Sequence, residues 1–325
     1  MRKLAFLIAL VVLAKASPQA TAFDPSYSDQ GFPYAAFEQL DSTPITVGGS
    51  KIIVAFAPSE FRLSRDHILA WIKKSGEAVE TYFDGYPVSG AKILIVPEGG
   101  TGVTGGQAYG YGGPAIRLTV GKDSTEADLR EDWKAVHEMV HLAFPDLPEQ
   151  HNWMTEGLAV YVESIARVQA GDLTAKKTWS DFARDMPHGL PEDGDQGLDE
   201  THSWGRTYWG GAIFFLLADI EFRKRTGNRV GLQRAVQAIA AAGGTNDQQW
   251  TVEKTLATAD AATSTHVLRD LYEKMRAAPF DPDLPKMWND LGIRVADGKL
   301  TFDDTAPLAA IRQAITAKPQ KKVVN

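Results

Sequence analysis

The spacing of apolar residues changes along the chain, and each spacing predicts a different kind of element. Short β-branched runs over 45–56, 92–96 and 115–120 are typical of strands, the first with a turn at Gly48-Gly49-Ser50. Apolar residues near a 3.6-residue period predict helices over 65–83, 125–144, 153–168, 206–226, 229–242, 249–257 and 264–277. Because the strands precede most helices, we expect an α+β fold with a mixed β-sheet N-terminal lobe and a helical C-terminal lobe.

The N-terminal residues have the pattern of a secretory signal peptide, 1–16 or 1–22. Met1-Arg2-Lys3 is positively charged, an apolar run over 4–14 follows, and small residues end at Ala16 and at Ala22. The apolar run is shorter than the roughly 20 residues that span a bilayer, so we expect no stable membrane insertion after cleavage. The pattern predicts a periplasmic or secreted protein.

The rest of the chain is predicted to form one main domain with short flanking segments. Its parts are an irregular lead-in (23–43), a main domain (44–280, with an α/β lobe at 44–150 and a helical lobe at 151–280) and a C-terminal hairpin, helix and basic tail (281–325). The hairpin is expected over 292–302 and the helix over 306–317.

The amino-acid composition excludes several kinds of chemistry but says little about the fold. The 325 residues include no cysteine, which excludes disulfides, thiolate metal sites and a cysteine nucleophile. The net charge of -7 gives no indication of a nucleic-acid partner. An acidic stretch at 192–200 is expected to be a solvated loop. No pattern indicates the oligomeric state.

A metal-binding pattern lies within the predicted 125–144 helix. His137 and His141 are four residues apart, so they share a helix face with Cβ atoms about 6 Å apart, and both imidazoles can reach one Zn²⁺. Glu138 lies beside this pair and can take a proton from water. The pattern predicts a zinc site with Glu138 as the general base.

A catalytic zinc needs a third protein ligand, and Glu156 is the favoured candidate. It follows His141 by 15 positions, at the start of the next predicted helix, and the short connection brings that helix back toward the histidines. The rival ligands lie in the connection: Asp146, Glu149 and His151. His151 would give a three-histidine site, but the glycine and distal histidine of the usual three-histidine motif are missing.

The pattern from His137 to His141, followed by Trp153-Met154-Thr155-Glu156-Gly157-Leu158-Ala159, resembles the gluzincin metallopeptidases. These include thermolysin-like enzymes, zinc aminopeptidases and the glycyl aminopeptidase group. A looser similarity covers 208–212 and 219–227. The resemblance implies a thermolysin-like, two-lobed domain with the zinc cleft between its lobes. It also implies Zn²⁺ on His137, His141 and Glu156, water activation by Glu138, and a peptide or protein substrate bound in an extended conformation.

The glycine-rich stretch 99–113 departs from the aminopeptidase branch. Those enzymes clamp the free amine of the substrate with a glutamate, and here the stretch holds no carboxylate, while Glu98 only borders it. The interval between His141 and Glu156 is also shorter than in the larger aminopeptidases. We interpret 99–113 as a flexible flap. The resemblance to gluzincins implies that 115–120, the strand before the zinc helix, is the edge strand that binds extended substrate.

Three further side chains are candidates for supporting roles. Tyr208 can donate a hydrogen bond to an oxyanion, with core packing as the alternative. His202 is a second candidate for the oxyanion role. Glu163 shares a helix face with Glu156, and is either a partner of a zinc histidine or a surface charge.

The sequence therefore favours an exported zinc-dependent metallopeptidase that hydrolyses peptide bonds. Two alternatives remain open. One is a non-catalytic binding or envelope-assembly protein on a peptidase scaffold. The other is a zinc hydrolase of a non-peptide bond, such as an epoxide, because the zinc motif alone does not select the bond.

Overall fold

A computed structural model describes residues 31–319 of the protein. The predicted signal peptide and the last residues of the basic tail lie outside the described residues, and the predicted domain boundaries stay predictions. Within residues 31–319, no helix is both long enough and apolar enough to cross a membrane.

Five strands form a mixed sheet in the order β1-β2-β3-β5-β4. Their bounds are β1 (Ser42–Val47), β2 (Ser50–Phe56), β3 (Gly90–Glu98), β4 (Val103–Tyr109) and β5 (Ala115–Gly121). The central pairs β2/β3 and β3/β5 are parallel, and the outer strands β1 and β4 pair antiparallel to their neighbours. Together with the helices that follow, this sheet confirms the predicted α+β class.

Helices make up most of the remaining chain. They are α1 (Tyr34–Phe37), α2 (Arg65–Phe83), α3 (Glu126–Glu131), α4 (Lys134–His141), α5 (Asn152–Ala170), α6 (Ala175–Asp185), α7 (Gly211–Thr226), α8 (Leu232–Ala241), α9 (Val252–Thr263), α10 (Val267–Met275), α11 (Leu284–Asp290) and α12 (Ala309–Thr316). A predicted hairpin near the end is present as β6 (Ile293–Ala296) and β7 (Lys299–Phe302). Its turn has positive φ at Asp297 and Gly298, as a two-residue hairpin turn requires.

The prediction of a single helix over 125–144 is wrong in one respect. The structure has two helices in this range, α3 and α4. The backbone of Asp132 is extended (φ -64°, ψ 139°) and ends α3. Its carboxylate then accepts the N–H groups of Lys134 (3.1 Å) and Ala135 (3.0 Å), which start α4. A side chain that caps a new helix start outweighs the helical propensity of its neighbours.

The prediction that 115–120 forms the edge strand is also wrong. Strand β5 lies inside the sheet, between β3 and β4. Strand β4 is the outer strand instead, and it comes from the glycine-rich stretch predicted to be a flap. Within residues 31–319, no strand pairs with the outer edge of β4, so β4 provides one of the two free edges of the sheet, and β1 provides the other.

The sheet is covered on both faces, as the alternating burial of β3 shows. Ile93 and Ile95 belong to the main core, whereas Leu94 and Val96 join a smaller cluster on the opposite face. Phe32 and Phe37 complete that smaller cluster, so the predicted irregular lead-in is partly ordered by α1. Neighbouring side chains of a strand point to opposite faces of the sheet, so their burial requires packing on both faces.

Helix α5 is the central helix of the main core. Its Trp153 and Tyr161 are almost completely buried. It approaches α7 so closely that a Cβ added at Gly157 would lie 2.3 Å from the Cα of Gly211. Only glycine permits this distance, and the contact holds the start of α7 against the start of α5.

Candidate metal centre

The structure brings His137, His141 and Glu156 together at one point. Both histidines lie on α4, and Glu156 lies near the start of α5. The Oε2 atom of Glu156 lies 3.3 Å from the Nε2 of His137 and 3.5 Å from the Nε2 of His141. Among residues 31–319, these three form the cluster with donor atoms close enough to share one metal ion.

The donor set and its spacing fit a zinc ion. Donors held at about 2.0–2.1 Å from a tetrahedral ion lie about 3.3–3.4 Å from each other. The two separations from Glu156, 3.3 Å and 3.5 Å, match this spacing. Two imidazoles and one carboxylate are also the ligand types of an open, catalytic zinc site.

The charge states of His137 and Glu156 suit a metal as well. Burial lowers the pKa of His137 to about 4, which leaves its imidazole neutral and able to donate a lone pair. Burial opposes the charge of Glu156, but hydrogen bonds with His137 and His141 outweigh it and hold the pKa of Glu156 well below its usual range. Burial likewise opposes the charge of His141, and Glu156 raises its pKa despite this.

Glu138 lies between the metal centre and strand β4. The residue is 8% exposed, and burial raises the pKa of its carboxyl to about 7, although the N–H of Ala108 donates a hydrogen bond to it. A Cβ at Gly106 would lie 2.8 Å from its Oε1. The strand therefore touches Glu138 directly. A carboxyl with its pKa near neutrality can both accept and return a proton.

A short π-helix places Tyr208 at the same centre. The π-helix covers Gly205–Gly210 and continues directly into α7. The ring of Tyr208 stacks on that of His137, with centroids 6.5 Å apart and planes inclined by 19°. Burial raises the pKa of Tyr208 to about 12, helped by the charges of Glu156 and Glu138, so its hydroxyl remains a donor. Wide turns of this type occur often at functional sites.

The rival candidates lie elsewhere. His202 is exposed and does not line the cleft. His151 is buried, with Nδ1 2.9 Å from Asp199 and Nε2 3.1 Å from the side-chain nitrogen of Gln150, so both of its nitrogens have partners away from the metal centre. Asp146 lines the cleft beside Gln249, whereas Glu149 is exposed.

Two acidic side chains differ from expectation. Glu163 is buried, and its carboxylate bonds to Arg167 (3.1 Å) and Ser164 (2.8 Å), so it is not a surface charge. Asp199 is also buried, although 192–200 was expected to be solvated. Its carboxylate accepts hydrogen bonds from His151, from the indole of Trp153 at 2.8 Å and from the hydroxyl of Tyr272 at 3.0 Å.

A cleft of about 1090 Å³ opens over the metal centre. One wall is β4, and α4 and the start of α5 form the base. The loop that precedes α9 closes one end, where the side-chain amide of Asn246 donates to the carbonyl of Tyr109 at 2.9 Å. The cleft is large enough for several residues of a peptide.

Two features of this site were not among the sequence predictions. Gly106, which contacts Glu138, lies in a stretch whose composition favours a loop, and no local signal marks it as a strand. The aromatic rings around His137 include Trp133, with ring centroids 5.4 Å apart. The i, i+4 spacing of Trp133 and His137 was available in the sequence and could have identified this pair.

The fold is similar to part of solved metallopeptidase structures. The structure of an aminopeptidase N family protein from Idiomarina loihiensis matches with a TM-score of 0.57 and 15% identity, over 79% of this chain and 50% of that one. A two-domain M1 zinc metallopeptidase, in a mutant form bound to L-arginine, matches with a TM-score of 0.51 and 13% identity, over 76% and 54%. The predicted resemblance to gluzincins is thereby confirmed at the level of the fold.

These likenesses concern the fold of part of each neighbour, since the chain spans about half of their length. No protein-family model matches the chain, and no curated protein matches its sequence.

Proposed function

We propose that the protein is an exported zinc-dependent metallopeptidase. The observation that carries the proposal is the convergence of His137, His141 and Glu156 at zinc-like spacing, with Glu138 beside them and a cleft above. The α/β lobe and the helical lobe would form the two walls of this cleft, in the thermolysin-like manner. The fold neighbours, an aminopeptidase N family protein and a two-domain M1 zinc metallopeptidase, support the same class.

Zinc bound at the three donors would supply Lewis-acid chemistry, which polarises a substrate carbonyl and makes water more acidic. Glu138 is the general base of the proposal. It takes the proton of the attacking water and passes it to the leaving amine. The near-neutral pKa of Glu138 suits both proton transfers. The contact between Glu138 and β4 fixes the direction in which the carboxyl group points.

Tyr208 is proposed to stabilise the oxyanion that forms on the substrate carbonyl. Its ring stacks on that of His137 and lines the same cleft, so it lies beside the metal centre. A donor aimed at developing charge lowers the barrier because it binds the transition state more strongly than the substrate.

The substrate is proposed to be a peptide or unfolded protein segment that runs along the free edge of β4 in an extended conformation. Backbone groups on an open strand edge can pair with an added strand. One neighbour is a metallopeptidase bound to an amino acid, L-arginine, which agrees with a peptide-derived ligand. No carboxylate lies on β4, so the proposal does not include a requirement for a free substrate amine.

The central experiment compares wild type with Glu138→Gln and His141→Ala. Purified proteins are tested on a peptide library by mass spectrometry, and zinc is measured by elemental analysis. Glu138→Gln should keep zinc and lose hydrolysis, whereas His141→Ala should lose both. His202→Ala is the matched control, because this histidine is exposed outside the cleft.

The same experiment separates the alternatives. A binding protein would retain peptide affinity without cleavage in any form, and a hydrolase of another bond would leave every peptide intact while binding zinc. Full peptide hydrolysis by Glu138→Gln would refute the mechanism. N-terminal sequencing of the mature protein tests export, with cleavage expected after Ala16 or Ala22.

A further inference from the structure

Asp199 is a buried acidic residue that takes no part in the proposed reaction. It lies in the acidic stretch 192–200 and is 8% exposed. Its carboxylate accepts hydrogen bonds from Nδ1 of His151 (2.9 Å), Nε1 of Trp153 (2.8 Å) and the hydroxyl of Tyr272 (3.0 Å). Burial opposes its charge, but the hydrogen bonds from His151 and Trp153 outweigh burial and hold the pKa of Asp199 below its usual range. The group is therefore a charged acceptor that holds three side chains together.

The backbone that carries Asp199 is fixed to the end of α10. The N–H groups of Leu198 and Asp199 donate to the carbonyl oxygens of Met275 (2.9 Å) and Arg276 (3.0 Å). A Cβ at Gly197 would lie 2.1 Å from the carbonyl oxygen of Arg276, so only glycine permits this contact. Asp199 therefore holds its partners from a backbone that has its own attachments.

Helix α5 begins without a side-chain cap of its own. Its N-cap residue is His151, whose side chain makes no capping hydrogen bond, and its first turn contains no acidic residue. The free N–H groups of a helix start are normally stabilised by one or the other. Asp199 instead bonds the side chains of His151 and of Trp153, the second residue of α5. The position of the first turn thus depends on a residue 46 positions after Trp153.

Glu156 follows this attachment by one turn of the same helix. It comes three residues after Trp153, so the two residues are neighbours on α5. The Oε2 atom of Glu156 lies 3.3 Å and 3.5 Å from the Nε2 atoms of His137 and His141, which belong to α4. Because the donors come from two helices, their spacing depends on where α5 begins relative to α4. A shift of the first turn would carry Glu156 with it.

We propose that Asp199 is a positioning residue that fixes Glu156 in the metal centre through His151 and Trp153. The proposal rests on the zinc site of the function proposed above and deepens it. Partners that orient metal ligands contribute strongly to metal affinity, because a ligand that is already in place loses little freedom when the metal binds. Loss of Asp199 should therefore weaken metal binding, in addition to any effect on folding.

A second carboxylate of the same stretch separates this role from a purely structural one. The Oδ2 atom of Asp195 lies 3.5 Å from Nε of Arg206, which is buried in the π-helix. This pair attaches the stretch to the π-helix and not to α5. Asp195→Ala should lower the melting temperature, because it leaves a buried guanidinium without its partner, but it should leave the zinc Kd unchanged. Asp199→Ala should change both.

The test measures the zinc Kd by competition with a chelator, and the visible spectrum of the cobalt(II)-substituted protein, which reports ligand geometry. Asp199→Ala should raise the Kd by about tenfold or more and change the spectrum. Asp199→Asn should restore most of the affinity. Its Oδ1 can still accept from His151 and Trp153, and its amide can donate to the hydroxyl oxygen of Tyr272. Asp193→Ala removes an exposed carboxylate from the same stretch and should change neither readout.

Tyr272→Phe keeps the proposal testable if Asp199→Ala does not fold. It removes one hydroxyl that donates to Asp199, so the zinc Kd should rise by about threefold with a small change in melting temperature. A wild-type Kd in Asp199→Ala, or in Tyr272→Phe where the former does not fold, would overturn the proposal. So would equal losses of zinc affinity in Asp199→Ala and Asp199→Asn, or in Asp199→Ala and Asp195→Ala.

These readouts use no peptide, so they separate the two proposals. If wild type binds zinc but cleaves no peptide, the proposed function fails while the zinc Kd still decides the role of Asp199. If peptides are cleaved, zinc-saturated Asp199→Ala should lose activity mainly in kcat, because Glu156 moves while the β4 wall of the cleft stays in place. A loss confined to KM would contradict the positioning role.

Discussion

Replacing Gly106 by Ala tests whether β4 holds Glu138 in its working position. A Cβ at Gly106 would lie 2.7 Å from the Cγ of Glu138 and 2.8 Å from its Oε1. Ordinary contact begins at 3.4 Å, so the Glu138 side chain must retreat by about 0.7 Å. Gly106 does not have a positive φ, so Ala can adopt its backbone conformation and the clash is the main perturbation.

The expected loss follows from this displacement. A misplacement of about 1 Å in a catalytic group costs about 100-fold in rate. We therefore expect Gly106→Ala to lower kcat by about 10- to 100-fold, equivalent to about 1.4–2.7 kcal/mol of barrier. Zinc content should stay constant, because no atom of the three proposed ligands is among the close neighbours of the added Cβ.

Gly105→Ala is the matched control on the same strand. Its Cβ would lie 3.6 Å from the Oγ1 of Thr119, which is ordinary contact. Both substitutions remove the same backbone freedom from β4, and only one displaces Glu138. The assay is kcat and KM on one quenched peptide, with zinc analysis and a thermal melt. Equal losses in both variants, or none in Gly106→Ala, would refute the assignment of β4 as the support of Glu138.

Three other predictions concern the oxyanion, the substrate amine and the helix contact. Tyr208→Phe should lower kcat by about 10- to 100-fold with little change in KM, and an unchanged kcat would remove Tyr208 from the mechanism. N-acetylated peptides should be cleaved as fast as free ones because β4 carries no carboxylate; cleavage of free peptides alone would contradict this. Gly157→Ala should lower the melting temperature by several degrees, since its Cβ would lie 2.3 Å from Gly211, and an unchanged melt would show that α5 and α7 can separate freely.

The parts of the site that follow from local spacing were predictable. The separation of His137 and His141 is a property of any α-helix, and the short connection to α5 limits where Glu156 can lie. Their proximity in the structure is the one that the helical spacing and the short connection predict. The same holds for the strands β2 and β3, whose β-branched runs are typical of buried parallel strands.

The parts that depend on distant partners were not predictable. The glycines of β4 favour a loop locally, and the stretch becomes a strand because β5 offers a partner in register. The break between α3 and α4 depends on which backbone groups the Asp132 side chain caps. Asp199 is buried only because His151, Trp153 and Tyr272 converge on it from other segments. Each of these outcomes is decided by tertiary context.

If substrates add to the free edge of β4 as proposed, the folding state of a target protein determines whether it is cleaved. Backbone groups in a native domain are already paired, so a segment must open locally before it can add to this edge. When opening and reclosing are fast, the cleavage rate follows the equilibrium population of the open form. A peptidase with this entry point would therefore degrade unstable proteins first and leave well-folded neighbours in the same compartment intact.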